Sequence, residues 1–243
     1  MSGTCIITGA SRGIGAAAAR MAAEAGYAVL VNYAHDGEAA AGVAAAITSA
    51  GGRALVHQAD VSDEAAVVAM FERAEAELGP LTALINNAGI LKTKARLEEM
   101  DAERISRVMA VNVTGSLISA REAVRRMTRG GAIVNLSSRA AALGAPNEFI
   151  DYAASKGAID AMTIGLSKEV ADRGIRVNAV RPGLIDTEIH ASGGDPDRAF
   201  RLASTVPMQR TGSVEEVAEV ILWLLSDSAS YVTGTLIDIS GGR

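Results

Sequence analysis

Short runs of mostly β-branched and apolar residues alternate along this chain with longer segments in which apolar residues recur every three or four positions. The first pattern reads as strands buried on both faces, and the second as amphipathic helices. Strands are predicted at 4–8, 28–33, 54–58, 83–86, 132–137, 176–180 and 235–239. Helices are predicted at 14–25, 38–50, 63–78, 98–108, 113–128, 152–172 and 214–225. The punctuation agrees with these elements. Gly26, Gly51 and Gly79 follow helical runs, where a left-handed residue ends a helix. Ser62 stands as an N-cap before the third helix. Ser213 with Glu216 forms a capping box before the last one. The rhythm implies βαβ units and an α/β fold: three layers, doubly wound, with a seven-stranded parallel sheet of the Rossmann kind. Residues 1–243 show no internal boundary and read as one domain. The irregular stretch at 187–212, with Gly193-Gly194, Pro196 and Pro207, has the place and length of a substrate lid.

Composition narrows the functional classes. Apolar residues make up 49% of the 243 positions but aromatics only 3%, so the core must be built from Ala, Val, Leu and Ile. A formal net charge of −5 gives no electrostatic reason to expect nucleic acid. The single cysteine, Cys5, cannot pair within the chain and sits in an apolar run, which suits a small core residue in a cytoplasmic protein. His35, His57 and His190 are scattered without metal-ligand spacing, so no metal site is expected. No run resembles a targeting leader or a membrane span.

Three local patterns carry chemistry. The segment Thr8-Gly9-Ala10-Ser11-Arg12-Gly13-Ile14-Gly15 leaves a strand and opens a helix. Glycines there allow a tight turn and close backbone approach to a pyrophosphate, and the helix N-terminus offers free N–H groups. Its G-x-x-x-G-x-G spacing differs from G-x-G-x-x-G. In Tyr152-Ala153-Ala154-Ser155-Lys156 a phenol and an ammonium share one helical face. A nearby cation lowers a phenol's pKa toward neutrality and makes it useful as an acid/base; alone, the pair equally describes an exposed helix surface. Ser137-Ser138 ends a strand, where a hydroxyl can serve either a substrate oxygen or a helix cap.

Taken together, and in this order, the patterns resemble the classical short-chain dehydrogenase/reductase family over nearly the whole chain. Residues 8–15 look like its nucleotide loop, and Asp60-Val61 like the pair that contacts adenine. Asn86-Asn87-Ala88-Gly89 matches its NNAG element, and Asn112 its helix asparagine. Ser138, Tyr152 and Lys156 match the remaining catalytic positions. Arg181-Pro182-Gly183-Leu184-Ile185-Asp186-Thr187 is similar to its nicotinamide-embracing segment. The resemblance implies an NAD(P)-dependent oxidoreductase acting on CH–OH groups. Tyr152 would exchange the proton on the substrate oxygen, Lys156 would lower its pKa and hold the nicotinamide ribose, Ser138 would orient the oxygen, and Asn112 would hold a water leading to solvent. Cofactor contacts would come from Gly9, Ser11, Arg12, Gly13, Ile14, Gly15, Asn32, His35, Asp60, Val61, Asn87, Ala88, Gly89, Tyr152, Lys156, Pro182, Gly183, Ile185 and Thr187. The 14 positions from Ser138 to Tyr152 are about one more than in many members, and the extra residue falls in 146–151, beside the substrate.

Members that prefer NAD carry an acid at the end of the second strand. Here Asn32 holds that place, and Arg12 and His35 stand ready for a 2′-phosphate, although Asp36 is adjacent; NADP(H) is therefore expected over NAD(H). Within the family the nearest likeness is to 3-oxoacyl-carrier-protein reductases and glucose 1-dehydrogenases, so the substrate is a small carbonyl or alcohol, possibly a 3-oxoacyl thioester or a sugar. Arg125, Arg126 and Arg129 cluster at a helix end, where cations satisfy the helix dipole or meet an acidic carrier. A homotetramer or homodimer is implied through the helices at 113–128 and 152–172. The competing readings are a nucleotide-binding regulator that has lost catalysis, and an isomerase, epimerase or dehydratase on the same fold.

Overall fold

The computed structural model describes residues 3–128 and 130–243, with His190 described by its backbone alone. Arg129, the third member of the basic cluster, lies outside the described residues.

Seven strands form one sheet: β1 (Thr4–Ile7), β2 (Ala28–Tyr33), β3 (Arg53–Gln58), β4 (Leu81–Asn86), β5 (Gly131–Leu136), β6 (Ile175–Pro182) and β7 (Leu236–Ile239). Their order is β3-β2-β1-β4-β5-β6-β7, and every neighbouring pair is parallel. Successive strand residues point to opposite faces, and both faces here are apolar. Cys5, Ile7, Val29, Val31, Ile85 and Val134 face one layer of helices. Ile6, Leu30, Leu84, Ile133 and Val177 face the other.

The first layer contains α1 (Gly13–Glu24), α2 (Gly37–Ser49) and α10 (Val214–Leu225). Alanines do most of the packing in α1: Ala16, Ala17, Ala18, Ala19 and Ala22 are buried. Small side chains let the helix lie close to the sheet, which is how a core with few aromatics fills its space. The second layer contains α3 (Glu64–Leu78), α5 (Gly115–Arg126) and α7 (Ile150–Glu169), with Met70, Phe71, Ala123 and Leu166 turned toward the sheet.

Several expectations need correction. Asp63, not Ser62, caps α3, its carboxylate accepting from the Ala66 N–H at 3.1 Å. Ser62 instead serves Asp60, donating from its hydroxyl at 2.7 Å. The predicted helix at 98–108 divides into a 3₁₀ turn (Leu97–Glu99) and α4 (Ala102–Met109), because Asp101 caps the latter. No loop then separates α4 from α5; a π-helical turn, Ala110–Thr114, joins them and contains Asn112. The capping box of Ser213 and Glu216 is present. The 187–212 segment also carries structure: α8 (Ile189–Ser192), α9 (Arg198–Arg201) and a 3₁₀ turn (Ala203–Thr205). Its base is closed where Asp186 and Leu184 exchange backbone hydrogen bonds with Gly212. One more short helix, α6 (Ala140–Leu143), follows β5.

Candidate active site

Strand order reverses at the β1/β4 boundary, and loops beyond the strands' carboxyl ends diverge there, leaving a crevice. Thr8 and Asn87 fix its floor. The Thr8 hydroxyl accepts from the Asn87 and Ala88 N–H groups, each at 3.0 Å. The Asn87 side chain donates to the Thr8 and Gly9 carbonyls at 2.9 and 2.8 Å. Gly9 adopts φ +64°, and a Cβ on it would stand 2.9 Å from the Ala88 Cα, so the two loops meet only because this residue is glycine.

The glycine loop opens α1 without any side-chain cap, so the first N–H groups of the helix have no partner within it. They border a cavity of about 400 Å³ lined by Gly9, Ser11, Arg12, Gly13, Ile14, Asn32, His35, Asp60, Val61, Asn87, Ala88, Gly89 and Thr187. A glycine cradle, unpaired amides and flanking Arg12 suit a dinucleotide's phosphates. Gly15 is not part of the lining. A Cβ there would lie 2.5 Å from the Asn87 amide and from the Gly9 carbonyl, so its role is packing behind the loop.

Asn32 does something other than present its side chain to a ribose. Its Oδ1 accepts from the Gly9 N–H at 3.1 Å, and its Nδ2 donates to the Ala59 carbonyl at 3.0 Å. It is 1% exposed, and ties β2 and β3 to the glycine loop. Arg12 and His35 remain exposed on the cavity rim, while the Asp36 carboxylate caps α2 by accepting from the Ala39 N–H at 3.0 Å. Across the cavity, Arg107 donates to Asp60 at 2.6 Å. Burial alone would push Asp60 up, but hydrogen bonds from Arg107 and Ser62 outweigh it and hold the carboxyl down to about 2. Sequence reasoning missed Arg107, because only packing of α4 over β3's end brings it there.

A second cavity, about 360 Å³, adjoins the first; Ile14, Asn87, Gly89, Leu91, Thr187 and Ile189 line both. Ser138, Tyr152, Lys156, Pro182, Gly183 and Ile185 line it, so strand ends β5 and β6 and helix α7 converge as expected. Ser138 and Tyr152 line this cavity together, and the Ser138 hydroxyl acts on the phenol to pull its pKa down. Lys156 donates to the Leu136 carbonyl at 2.6 Å, and its ammonium lies 5.5 Å from the centre of the Tyr152 ring.

Asn112 does not line the cavity. It is fully buried, accepting from the Ile90 N–H at 2.8 Å and donating to the Ser155 hydroxyl at 3.0 Å. A Cβ built on Gly89 would lie 3.5 Å from both Asn112 Oδ1 and Lys156 Nζ, so Gly89 is the spacer between them.

The expected softening of the phenol by Lys156 is not what the geometry gives. Burial pushes Tyr152 up, and the Ser138 hydrogen bond only partly offsets it. Burial also pulls Lys156 down to about 8, against the Asp160 charge. The ammonium sits over the ring and against a carbonyl, rather than at the phenol oxygen.

The remaining walls, from Leu143, Pro146, Glu148, Phe149 and Arg198, were not singled out from the sequence. Phe149 lies in 146–151, the stretch expected beside the substrate; Arg198 gave no local signal, since it arrives from the 187–212 segment.

The family model described as "Enoyl-(Acyl carrier protein) reductase" matches residues 9–243. An uncharacterized oxidoreductase of Escherichia coli K12, YgfF, is 58% identical over 243 residues, 98% of each chain. The chain belongs to the short-chain dehydrogenase/reductase family. Members similar to it include the cis-4-hydroxycyclohexanecarboxylate dehydrogenase of Sinomonas cyclohexanicum, 42% identical with 98% of this chain and 94% of that one covered. A crystal structure of a short-chain dehydrogenase from Burkholderia cenocepacia in complex with NADP superposes with a TM-score of 0.91, at 34% identity over 98% of this chain and 96% of that one. The protein is accordingly an NAD(P)-dependent oxidoreductase of hydroxyl and carbonyl groups, and the readings as a regulator or an isomerase fall away. Among the described residues no helix is long and apolar enough to cross a membrane, and no cluster of ligating side chains could hold a metal.

Proposed function

We propose that this short-chain dehydrogenase/reductase converts a compact carbonyl compound to its alcohol, with NADP(H) as the preferred dinucleotide. The observation that carries the reading is the convergence of Ser138, Tyr152 and Lys156 on a cavity continuous with the glycine-lined cleft. Nicotinamide, when bound, supplies or accepts the hydride. The uncapped N-terminus of α1 with Gly9, Ser11, Gly13 and Ile14 would hold the phosphates. Asp60, Val61 and Ala88 would border the adenosine half, and Pro182, Gly183, Ile185 and Thr187 the nicotinamide half.

The protein's own groups handle the proton. Tyr152 gives its phenol proton to the substrate oxygen, and the Ser138 hydroxyl donates to the same atom and fixes its position. Lys156, held against the Leu136 carbonyl beside the Tyr152 ring, would hold the nicotinamide ribose. Asn112 acts indirectly, clamping Ile90 to Ser155 behind Lys156.

Preference for NADP(H) is supported by Arg12 and His35 on the rim, where neither forms an ion pair among the described residues. Leu91, Leu143, Phe149, Leu184 and Ile189 make most of the substrate walls apolar, which favours a ring or short hydrocarbon over a sugar. Docking of an acidic carrier gains no support from Arg125 and Arg126, which are consumed by Glu122 and Glu75. Residues 187–212 serve as the lid of the single domain. A homotetramer or homodimer is supported by exposed apolar residues on the outer faces of helices, Leu117 on α5, Ile164 on α7 and Trp223 on α10. A cytoplasmic setting suits a chain whose one thiol, Cys5, is fully buried.

The test is ketone reduction followed at the nicotinamide absorbance with NADPH and NADH in parallel, for the wild type and for Tyr152→Phe. The variant should lose about 10²-fold or more in kcat, the range of a positioned acid, while its NADPH dissociation constant stays unchanged. Full turnover by Tyr152→Phe would overturn the assignment.

A further inference from the structure

We infer that the substrate carries an anionic group, in the simplest case a carboxylate, held by Arg198 one helical turn away from the reacting oxygen. The inference rests on the proposed reaction for the position of that oxygen, and otherwise on the cavity alone.

The cavity around Tyr152 is apolar over most of its wall, but its charged residues are unbalanced. Arg139, Lys156, Arg198 and Arg243 line it, and Glu148 is the one acid among the lining residues. Two of these cations are committed. Arg139 donates to Asp238 at 2.6 Å and to the Arg243 carbonyl at 2.7 Å. Lys156 faces the Leu136 carbonyl at 2.6 Å.

Arg198 is different. It is the first residue of α9 in the lid, and its side chain is 16% exposed. The guanidinium packs 5.5 Å over the Phe149 ring, which fixes its plane. It makes one hydrogen bond within the protein, from Nη2 to Glu148 at 2.6 Å. Its Nε is buried without an acceptor, and Nη1 has none either among the described residues. A guanidinium has five donors in a fixed fork, and buried donors are rarely left unpaired. One carboxylate from Glu148 does not satisfy it.

Position makes the surplus useful. Phe149 caps α7 three residues before Tyr152, so the aromatic platform under Arg198 is about one turn of helix from the phenol. Leu143, Pro146 and Ile189 line the same cavity as Ser138, Tyr152 and Arg198, so one molecule can meet the reacting pair and the guanidinium together. Leu143, Pro146, Leu184 and Ile189 give the rest of that cavity a largely hydrocarbon wall. A cationic tail would meet the arginines, and a neutral polar tail would forgo the fork. A carboxylate accepts from it in charge-assisted, geometrically matched bonds, in surroundings of low dielectric. Because Arg198 belongs to the lid, an anion bound there also ties the lid to α7 beside the existing Glu148 contact.

The experiment separates this subsite from the chemistry. Benzoate and benzamide, alike in shape and different in charge, are titrated calorimetrically into protein saturated with NADP⁺, so that the phosphate-binding loop is filled. The wild type should bind benzoate about tenfold or more tightly than benzamide, the size of one charge-assisted hydrogen bond. In Arg198→Met that ratio should fall to about one, and Arg198→Lys should keep part of it, as a point charge without the fork. The ratio compares two probes in one variant, so a general loss of stability does not mimic the effect. Equal binding of the two probes by the wild type, or an undiminished ratio in Arg198→Met, overturns the inference. A benzoate preference that depends on Arg198, in an enzyme that reduces no ketone, leaves this subsite standing and removes the proposed reaction.

Discussion

Replacing Asn32 by aspartate separates the structure's account of this residue from the one suggested by family resemblance. By analogy, an acid at the end of β2 should turn the enzyme toward NAD(H). The geometry predicts destabilisation instead. Asn32 accepts from the Gly9 N–H, so one aspartate oxygen retains that bond. The other oxygen takes the place of Nδ2, which lies 3.0 Å from the Ala59 carbonyl, 3.3 Å from that of His57 and 3.4 Å from that of Tyr33. Three carbonyl dipoles would then point at a buried negative charge, and the Ala59 carbonyl would lose its donor. An unpaired buried charge costs about 3–5 kcal/mol, and a stronger bond from Gly9 returns about 1, leaving roughly 2–4 kcal/mol of net loss. At 2–4 °C per kcal/mol for a chain of this size, Tm should fall by about 4–16 °C. Scanning calorimetry of Asn32→Asp and Asn32→Ala at pH 7 and pH 5 tests the reasoning. The aspartate variant should be the less stable at pH 7. Its deficit should shrink at pH 5, where a protonated carboxyl donates to Ala59 and the charge disappears. Both dinucleotides should bind more weakly, because the Gly9 turn is loosened. An Asn32→Asp protein with wild-type Tm and a preference moved to NADH would refute this account.

Three other outcomes are expected. Lys156 is pulled down to about 8 by burial, against the Asp160 charge. Between that value and the ordinary 10.5 the unfolded chain holds a proton that the folded chain has released, so stability rises with pH there. Denaturant titrations should therefore show the wild type gaining about 2 kcal/mol on Lys156→Met between pH 8 and 9.5, and a flat difference would count against it. Arg12→Glu should lower kcat/KM with NADPH about tenfold or more while leaving NADH within a few-fold, since it places an acid where a 2′-phosphate would lie; equal losses with both would remove Arg12 from the 2′ site. Light scattering after size exclusion should give a dimer or tetramer at micromolar concentration, and Trp223→Glu or Ile164→Glu should lower that mass; a monomeric wild type would end the oligomer proposal.

Much of the site was written in local sequence because its parts obey short-range rules. Gly9, Gly13 and Gly15 mark a turn that must approach other backbone closely, and Tyr152 and Lys156 share a face through helical period alone. Strand and helix alternation likewise required the parallel sheet, since parallel neighbours need crossover helices between them. The seven strands appear where apolar runs predict them, most shifted at an end by one or two residues.

What the sequence could not decide are contacts between segments distant along the chain. Asn32 reads as a ribose contact until β3 and the Gly9 turn close around it. The phenol and ammonium of α7 were bound to be neighbours, but whether the cation softens the phenol depended on burial of both and on the Leu136 carbonyl from β5. Arg107 and Arg198 come to the two cavities from α4 and from the lid. Local pattern sets backbone conformation and which face is apolar, because those depend on neighbours a few residues away. Dielectric, hydrogen-bond partners and the charge balance of a cavity are sums over whatever the folded chain brings together, and only the tertiary structure assembles them.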